Sequence, residues 1–143
     1  MAGVMPEGWA LPALDEFNGP FFTSGKIVLQ RCTACATVQH PPEEVCHACL
    51  GMEFEPRVTS GLGTIYSLIV VHHPVAPTLR ESVPYAVVLV SMDDEPSARV
   101  LGNVLNRRPD ELAIGQRVRA VFEKIVDSES GETLHLPEWE VID

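Results

Sequence analysis

The chain has 143 residues, 45% of them hydrophobic, and a formal net charge of −10. That length suits one domain, or one small module attached to one core. Residues 1–56 carry two basic and seven acidic side chains and residues 57–143 eight and thirteen, so neither part has the basic footprint of a nucleic-acid module.

Residues 1–11, with Gly3, Pro6 and Gly8, read as disordered or loosely attached. They lack both a basic start and a long apolar stretch, so a cytoplasmic protein is expected. Leu14, Phe17 and Phe21 follow at i, i+3, i+7, one apolar face of a short helix. Asn18-Gly19-Pro20 interrupts that pattern, so two short helical pieces are expected. Phe21-Phe22 suits either a core anchor or a contact surface. The segment precedes a module with little core to spare, so Leu14, Phe17, Phe21 and Phe22 are candidate partner contacts. Together these residues form an arm over 1–25.

Lys26–Arg31 reads as a strand entering a cysteine pair. Cys32-Thr-Ala-Cys35 and Cys46-His-Ala-Cys49 are separated by ten residues and hold every cysteine of the chain. Two such pairs closed by a short loop set four thiolates at the corners of a tetrahedron, a geometry that suits Zn²⁺. Disulfides fit poorly without a secretory leader or dispersed cysteines. Iron competes for the same four sulfurs. A four-sulfur zinc site has no open position, so it is structural, and no thiol remains for catalysis. His40 and His47 flank the ligands as candidate donors to a thiolate. Residues 51–57 return as a strand anchored by Phe54, which gives a ribbon over 26–57. So small a unit draws most of its folding free energy from the metal.

From residue 58 the pattern becomes one of strands: 63–71, 85–90, 98–104, 117–126 and 134–141. The apolar run Leu68-Ile69-Val70-Val71 is too short to span a bilayer. Pro137 demotes part of the last strand to an edge. Between the third and fourth strands, Pro109 and Gly115 bracket a helical turn. Five strands with a short helix in that place follow the order of an OB-fold barrel over 58–143. The fold class is therefore mainly β: a short helical arm, a rubredoxin-like zinc ribbon and a five-stranded OB-fold barrel.

His72-His73-Pro74 ends the first barrel strand. Imidazole can act as a general base, but no serine, free thiol or carboxylate pair adjoins it in sequence. A backbone hydrogen bond at the strand end is the plainer role. The proline-bearing loop from His72 through Pro84, with Tyr85 behind it, is the foremost candidate for ligand or partner contact.

The ordered combination Pro20-Phe21-Phe22, Leu29-Gln30-Arg31-Cys32-x-x-Cys35, Pro41-Pro42, Cys46-x-x-Cys49, Gly63-Thr64-Ile65-Tyr66-Ser67, His72-His73-Pro74, Pro84-Tyr85 and Ile114-Gly115 resembles the acyl-CoA-associated zinc-ribbon/OB-fold family, domain of unknown function 35. The resemblance covers residues 14–140. Ala36 stands where a knuckle glycine is common, and Pro137-Glu138-Trp139 where the family tends to show Pro-x-Phe.

The resemblance implies a non-catalytic accessory subunit of a thiolase-like acyl-CoA enzyme, either a lipid-transfer-type thiolase or a steroid side-chain retro-aldolase. Two copies of each subunit are expected, with acyl-CoA at or near the interface. A hotdog-fold enoyl-CoA hydratase is the alternative partner. The only basic pair, Arg107-Arg108, is then a candidate contact for coenzyme A phosphates; a solvated loop before a helix is the plainer reading. Three other classes compete. Charge and the few barrel aromatics weigh against a nucleic-acid-binding OB protein. The added barrel weighs against a rubredoxin-like electron carrier. A stand-alone hydrolase lacks a nucleophile-and-base motif.

Overall fold

The computed structural model describes residues 5–143. It contains two antiparallel sheets. The ribbon sheet comprises β1 (Val28–Cys32), β2 (Val38–Gln39) and β3 (Phe54–Val58) in the order β2-β1-β3. The second sheet comprises β4 (Leu62–Val71), β5 (Tyr85–Met92), β6 (Arg99–Gly102), β7 (Arg117–Val126) and β8 (Thr133–Val141) in the order β6-β5-β4-β7-β8.

Strand β5 shows why these sequences fold as they do. Ala86, Val88, Val90 and Met92 alternate inward and are buried, as a half-buried pleat requires. The sheet then closes on itself. The backbone N–H of Trp139 in β8 donates to the Asn103 carbonyl at 2.8 Å, and Leu105 N–H donates to the Trp139 carbonyl at 2.9 Å, around a parallel bridge between Val104 and Trp139. Pro137 points its missing N–H to the same side as Trp139, so this seam begins only beyond it. The result is the five-stranded OB-fold barrel, with Pro137 at an edge.

The ribbon and the barrel share one core. Ile27 and Leu29 come from the ribbon end, Phe21 from the arm, and Ile65, Val88, Val100 and Trp139 from the barrel. Thr59 ties the junction, donating both its N–H and its hydroxyl to the Ile27 carbonyl at 3.0 and 2.8 Å. Arg57 of β3 reaches Glu95 of the barrel at 2.9 Å.

The arm departs from the sequence reading. One helix forms, α1 (Gly19–Thr23), and the Asn18-Gly19-Pro20 run begins it instead of breaking it. Proline suits a first helical turn, where its missing N–H has no intrahelical partner to lose. The piece expected around Leu14–Phe17 is a turn. Asp15 Oδ1 accepts N–H groups from Phe17 and Asn18, and Asn18 Oδ1 accepts from Asp15 N–H, each at 2.8 Å. Such side-chain bonds compete with helix formation and win here.

Phe21 is turned inward, 8% exposed, with its ring 4.8 Å from that of His40 and 5.0 Å from that of Phe22. Its ring belongs to the chain's own core. Leu14, Phe17 and Phe22 stay half-buried. Within residues 5–12, Met5, Pro6, Trp9 and Pro12 line a cleft against the barrel, and Met5 N–H donates to Glu123 Oε1 at 3.4 Å. The same reading for residues 1–4 lies outside the described residues.

Between β6 and β7 the helical turn is a 3₁₀ turn, Pro109–Glu111, closed by Arg108 N–H donating to Glu111 Oε2 at 2.7 Å. A second 3₁₀ turn, Pro77–Leu79, shapes the loop between β4 and β5 and buries Leu79. No helix among the described residues is long and apolar enough to cross a membrane.

Candidate metal centre and adjoining cleft

The four cysteines sit on two matched turns. After Cys35 the chain turns through Ala36 at φ +65°, and after Cys49 through Leu50 at φ +64°. Ala36 N–H returns to the Cys32 carbonyl and Leu50 N–H to the Cys46 carbonyl, both at 2.9 Å. Cys32 N–H then bonds the Thr37 carbonyl and Cys46 N–H the Gly51 carbonyl, both at 2.8 Å. A left-handed alanine costs about 1–2 kcal/mol, so Ala36 holds the glycine conformation at some expense. A Cβ at Gly51 would lie 3.2 Å from Cys49 Sγ and 3.4 Å from Cys32 Sγ, so a side chain there would press on two of the ligand sulfurs.

The sulfurs converge. Cys32 and Cys49 Sγ are 3.6 Å apart, as are Cys35 and Cys46 Sγ, and all four lie within 4.8 Å of one another. Zinc about 2.3 Å from each sulfur requires an edge of about 3.8 Å, so the set fits with only small adjustment. Ala48 N–H points to Cys46 Sγ and Gly51 N–H to Cys49 Sγ, each at 3.4 Å. The Thr37 side chain, then its backbone, pulls the Cys35 thiol down to about 6. Gly51 N–H acts in the same sense on Cys49, but with no cation among them the Cys32, Cys35 and Cys46 sulfurs outweigh it and push the Cys49 thiol up to about 12. The backbone N–H contacts favour the thiolates that a metal needs, and the cation itself removes the competition between the sulfurs. The site is a structural zinc centre with four sulfur ligands. Cys32 and Cys46 are buried, Cys35 and Cys49 exposed.

Two glutamines missed in the sequence organise the loop between the cysteine pairs. Gln39 Nε2 donates to Gln30 Oε1 at 2.7 Å and to the Val45 carbonyl at 3.2 Å. Gln30 Nε2 donates to the Glu43 carbonyl at 2.7 Å, and Gln30 Oε1 accepts Glu43 N–H at 3.0 Å. Gln39 Oε1 accepts His47 N–H at 3.1 Å. Both glutamines are buried on paired strands. In the sequence Gln30 is followed by Arg31 and Gln39 by His40, so no local signal marks either as buried. His47 is exposed, whereas His40 turns away toward Phe21.

A cleft of about 770 Å³ opens where the arm and α1 meet the barrel. It gathers several sequence candidates: Phe21, Phe22, Pro84, Tyr85 and Arg107. Arg107 is held by the Asp143 carboxylate at 2.8 Å. The cleft leaves out Arg108, which is exposed and pairs with Asp110 at 3.2 Å, as well as His72, His73 and Pro74, at the far end of the loop. Phe17 instead flanks a groove of about 560 Å³ over the ribbon, with Pro42, Met52 and Phe54.

Two cleft residues were not singled out for it from sequence. Glu138 is 5% exposed, and its Oε2 finds no hydrogen bond apart from any it shares with the neighbouring Glu123 carboxyl. Burial first, then the charge and hydrogen bonding of Glu123, pushes its carboxyl up to about 8. His40 Nδ1 likewise lacks a partner, and burial pulls its imidazole down to about 4. Both groups are therefore neutral at pH 7.

Residues 23–55 match the family described as "ChsH2, rubredoxin-like zinc ribbon domain", and residues 56–123 that described as "ChsH2, C-terminal OB-fold domain". A probable enoyl-CoA hydratase alpha subunit of Thermomonospora curvata is 36% identical over 110 residues, 75% of this chain and 33% of that protein. The chain thus spans about a third of that relative's length. A DUF35 domain-containing scaffold protein of Methanocaldococcus jannaschii is 36% identical over 97 residues, 66% of each chain. Among solved structures, a chain of an Ltp2-ChsH2(DUF35) aldolase superposes with a TM-score of 0.70 at 30% identity, covering 92% of this chain and 98% of that one. With ribbon and barrel both matched in order, this chain belongs to the DUF35 family, of the ChsH2 zinc-ribbon and OB-fold type.

Proposed function

We propose that this chain is a non-catalytic subunit that docks onto a thiolase-like acyl-CoA enzyme, two copies of each, through an arm over 1–25 and a ribbon over 26–57. The barrel over 58–143 then faces the acyl-CoA. The observation that carries this reading is the likeness, end to end, to a chain of an Ltp2-ChsH2(DUF35) aldolase. A metal centre with no open coordination position supports a scaffolding role over catalysis. Leu50 and Met52 stand 75% and 68% exposed beside the metal turns, and Phe17 flanks the adjoining groove. Apolar groups of this kind suit an interface core. Leu14 and Phe22 extend that surface along the arm. Arg107 and Arg108 are the proposed contacts for coenzyme A phosphates, which would compete there with the carboxylates of Asp143 and Asp110. Thiolate ligation of zinc suits a reducing compartment, which favours the cytoplasm.

A hydratase partner is the second reading, favoured by the name of the Thermomonospora curvata relative. Purification of the tagged chain from its own cells, with mass spectrometry of the bound proteins, separates the two. A thiolase-like subunit supports the first and a hydratase the second. Turnover of acyl-CoA by the isolated chain overturns both.

A further inference from the structure

We infer that the groove over the ribbon receives a short basic segment of the partner subunit, in which one or two large apolar side chains are flanked by lysine or arginine. The inference deepens the docking reading and rests on it for the source of that segment.

The groove encloses about 560 Å³ between the arm and the ribbon sheet. Phe17, Pro42, Met52 and Phe54 supply its apolar walls, and Glu16, Glu44 and Glu55 line it with exposed carboxylates. Beyond Phe17 a second hollow of about 330 Å³ continues the pattern, with Asp15 and Glu43 in its lining. Among the described residues, neither Glu16 nor Glu44 forms an ion pair. Residues 1–56 hold only two cations. Arg31 already lies 3.5 Å from Glu55, and Lys26 does not line the groove. The apolar floor is therefore surrounded by uncompensated negative charge, which a basic segment complements and an acidic one would meet with repulsion.

Other occupants fit less well. Among the described residues only the four cysteine sulfurs converge closely enough for a metal ion. The groove's carboxylates are spread apart, as separate lysine and arginine side chains require. An added strand is also disfavoured. β3 ends the ribbon sheet, and Thr33 N–H bonds the Glu53 carbonyl while Thr59 N–H bonds the Ile27 carbonyl. Residues 53, 55, 57 and 59 thus turn their backbone groups toward β1, and Phe54, Pro56 and Val58 turn theirs to the unpaired edge. Pro56 has no N–H to offer there. Recognition falls to side chains, with apolar anchors supplying affinity and the surrounding charges selecting the sign of the partner.

Calorimetric titration of the zinc-loaded chain at low salt with the capped hexapeptide Lys-Arg-Phe-Leu-Arg-Lys tests this. Expected is saturable one-to-one binding. Replacing the central pair by Ser-Ser, or the flanks by Glu and Asp, should weaken it by about tenfold or more. Glu16→Gln combined with Glu44→Gln should weaken the parent peptide about fivefold. Glu129→Gln combined with Glu132→Gln removes the same charge from exposed positions between β7 and β8 and should change affinity by less than about twofold. Met52→Ser, at a side chain 68% exposed, should weaken binding about tenfold. Absence of saturable binding overturns the inference. So does equal binding of either altered peptide, equal weakening by the two glutamine pairs, or unchanged affinity in Met52→Ser. The docking reading is judged separately, by which subunit co-purifies: a captured thiolase-like subunit without peptide binding keeps that reading and removes this groove from it.

Discussion

Gly102 lies flat against the indole edge of Trp139: a Cβ on Gly102 would stand 2.8 Å from both Cδ1 and Nε1 of the ring. Trp139 is fully buried and also carries the backbone seam that closes the barrel. Neither residue can move alone. Gly102→Ala should therefore destabilise the protein by about 1–3 kcal/mol, as overpacking does. Gly19→Ala, with nothing within 4 Å, should change stability by less than about 1 kcal/mol. Urea unfolding followed by far-ultraviolet circular dichroism compares the two.

Loss of the metal should reach beyond the ribbon. Structural zinc is worth on the order of 10 kcal/mol in isolated fingers. Ile27 and Leu29, at 1% and 2% exposure, deliver the ribbon's contribution to the barrel core. Cys46→Ser should abolish stoichiometric zinc and lower the melting temperature of the barrel itself. Elemental analysis and near-ultraviolet circular dichroism read the two effects separately. An unchanged barrel melt would show that the two units fold independently.

Two buried groups set opposing pH dependences. The Glu138 carboxyl is raised to about 8. Its contribution is complete below the unfolded carboxyl range and is lost as pH rises toward 8. The His40 imidazole is lowered to about 4. Its contribution is present above the unfolded histidine range near 6.5 and is lost as pH falls toward 4. The two slopes offset each other between about pH 4.5 and 6.5, and Glu138 acts alone from there to about 8. In that upper window Glu138→Gln should remove a fall in stability of about 1 kcal/mol per pH unit. Unfolding free energies of parent and variant, measured at pH 6.5 and 8, give the difference.

The glutamine pair should support the metal from a distance. Gln39→Ala leaves the Val45 carbonyl and His47 N–H without their partner. A cost of about 1–3 kcal/mol follows from such orphaned groups. Competition with a chromophoric chelator should show faster zinc loss, although no ligand has been touched.

The docking surface is tested by Leu50→Asp combined with Met52→Asp. Both side chains are exposed, so zinc content and melting temperature should hold while the proposed partner subunit no longer co-purifies. Retained association with zinc intact would move the interface elsewhere.

The metal site was legible because its signal is local: two cysteine pairs at fixed spacing need only one turn each. The barrel strands were legible from alternation such as Ala86, Val88, Val90 and Met92. The arm was harder to read. Spacing of Leu14, Phe17 and Phe21 suggested a helix, yet the carboxylate of Asp15 and the amide of Asn18 satisfied the backbone first. Whether Phe21 faces a partner or the core depends on what lies above it, which here is His40 from the ribbon loop. Glu138 reads as an ordinary alternating edge residue in sequence. Arm residues such as Trp9 share its cleft and Glu123 neighbours its carboxyl, and both are distant along the chain.

Gln30 and Gln39 reach the 40–47 loop only through main-chain atoms: the Glu43 carbonyl and N–H, the Val45 carbonyl and the His47 N–H. Such a contact is blind to the side chains it holds. The side chains of residues 43–45 can therefore change while the loop keeps its path and the sulfurs keep their places, with proline barred from 43, whose N–H is bonded. One face of the ribbon is left open to change as its neighbour changes, on a frame that does not have to change with it.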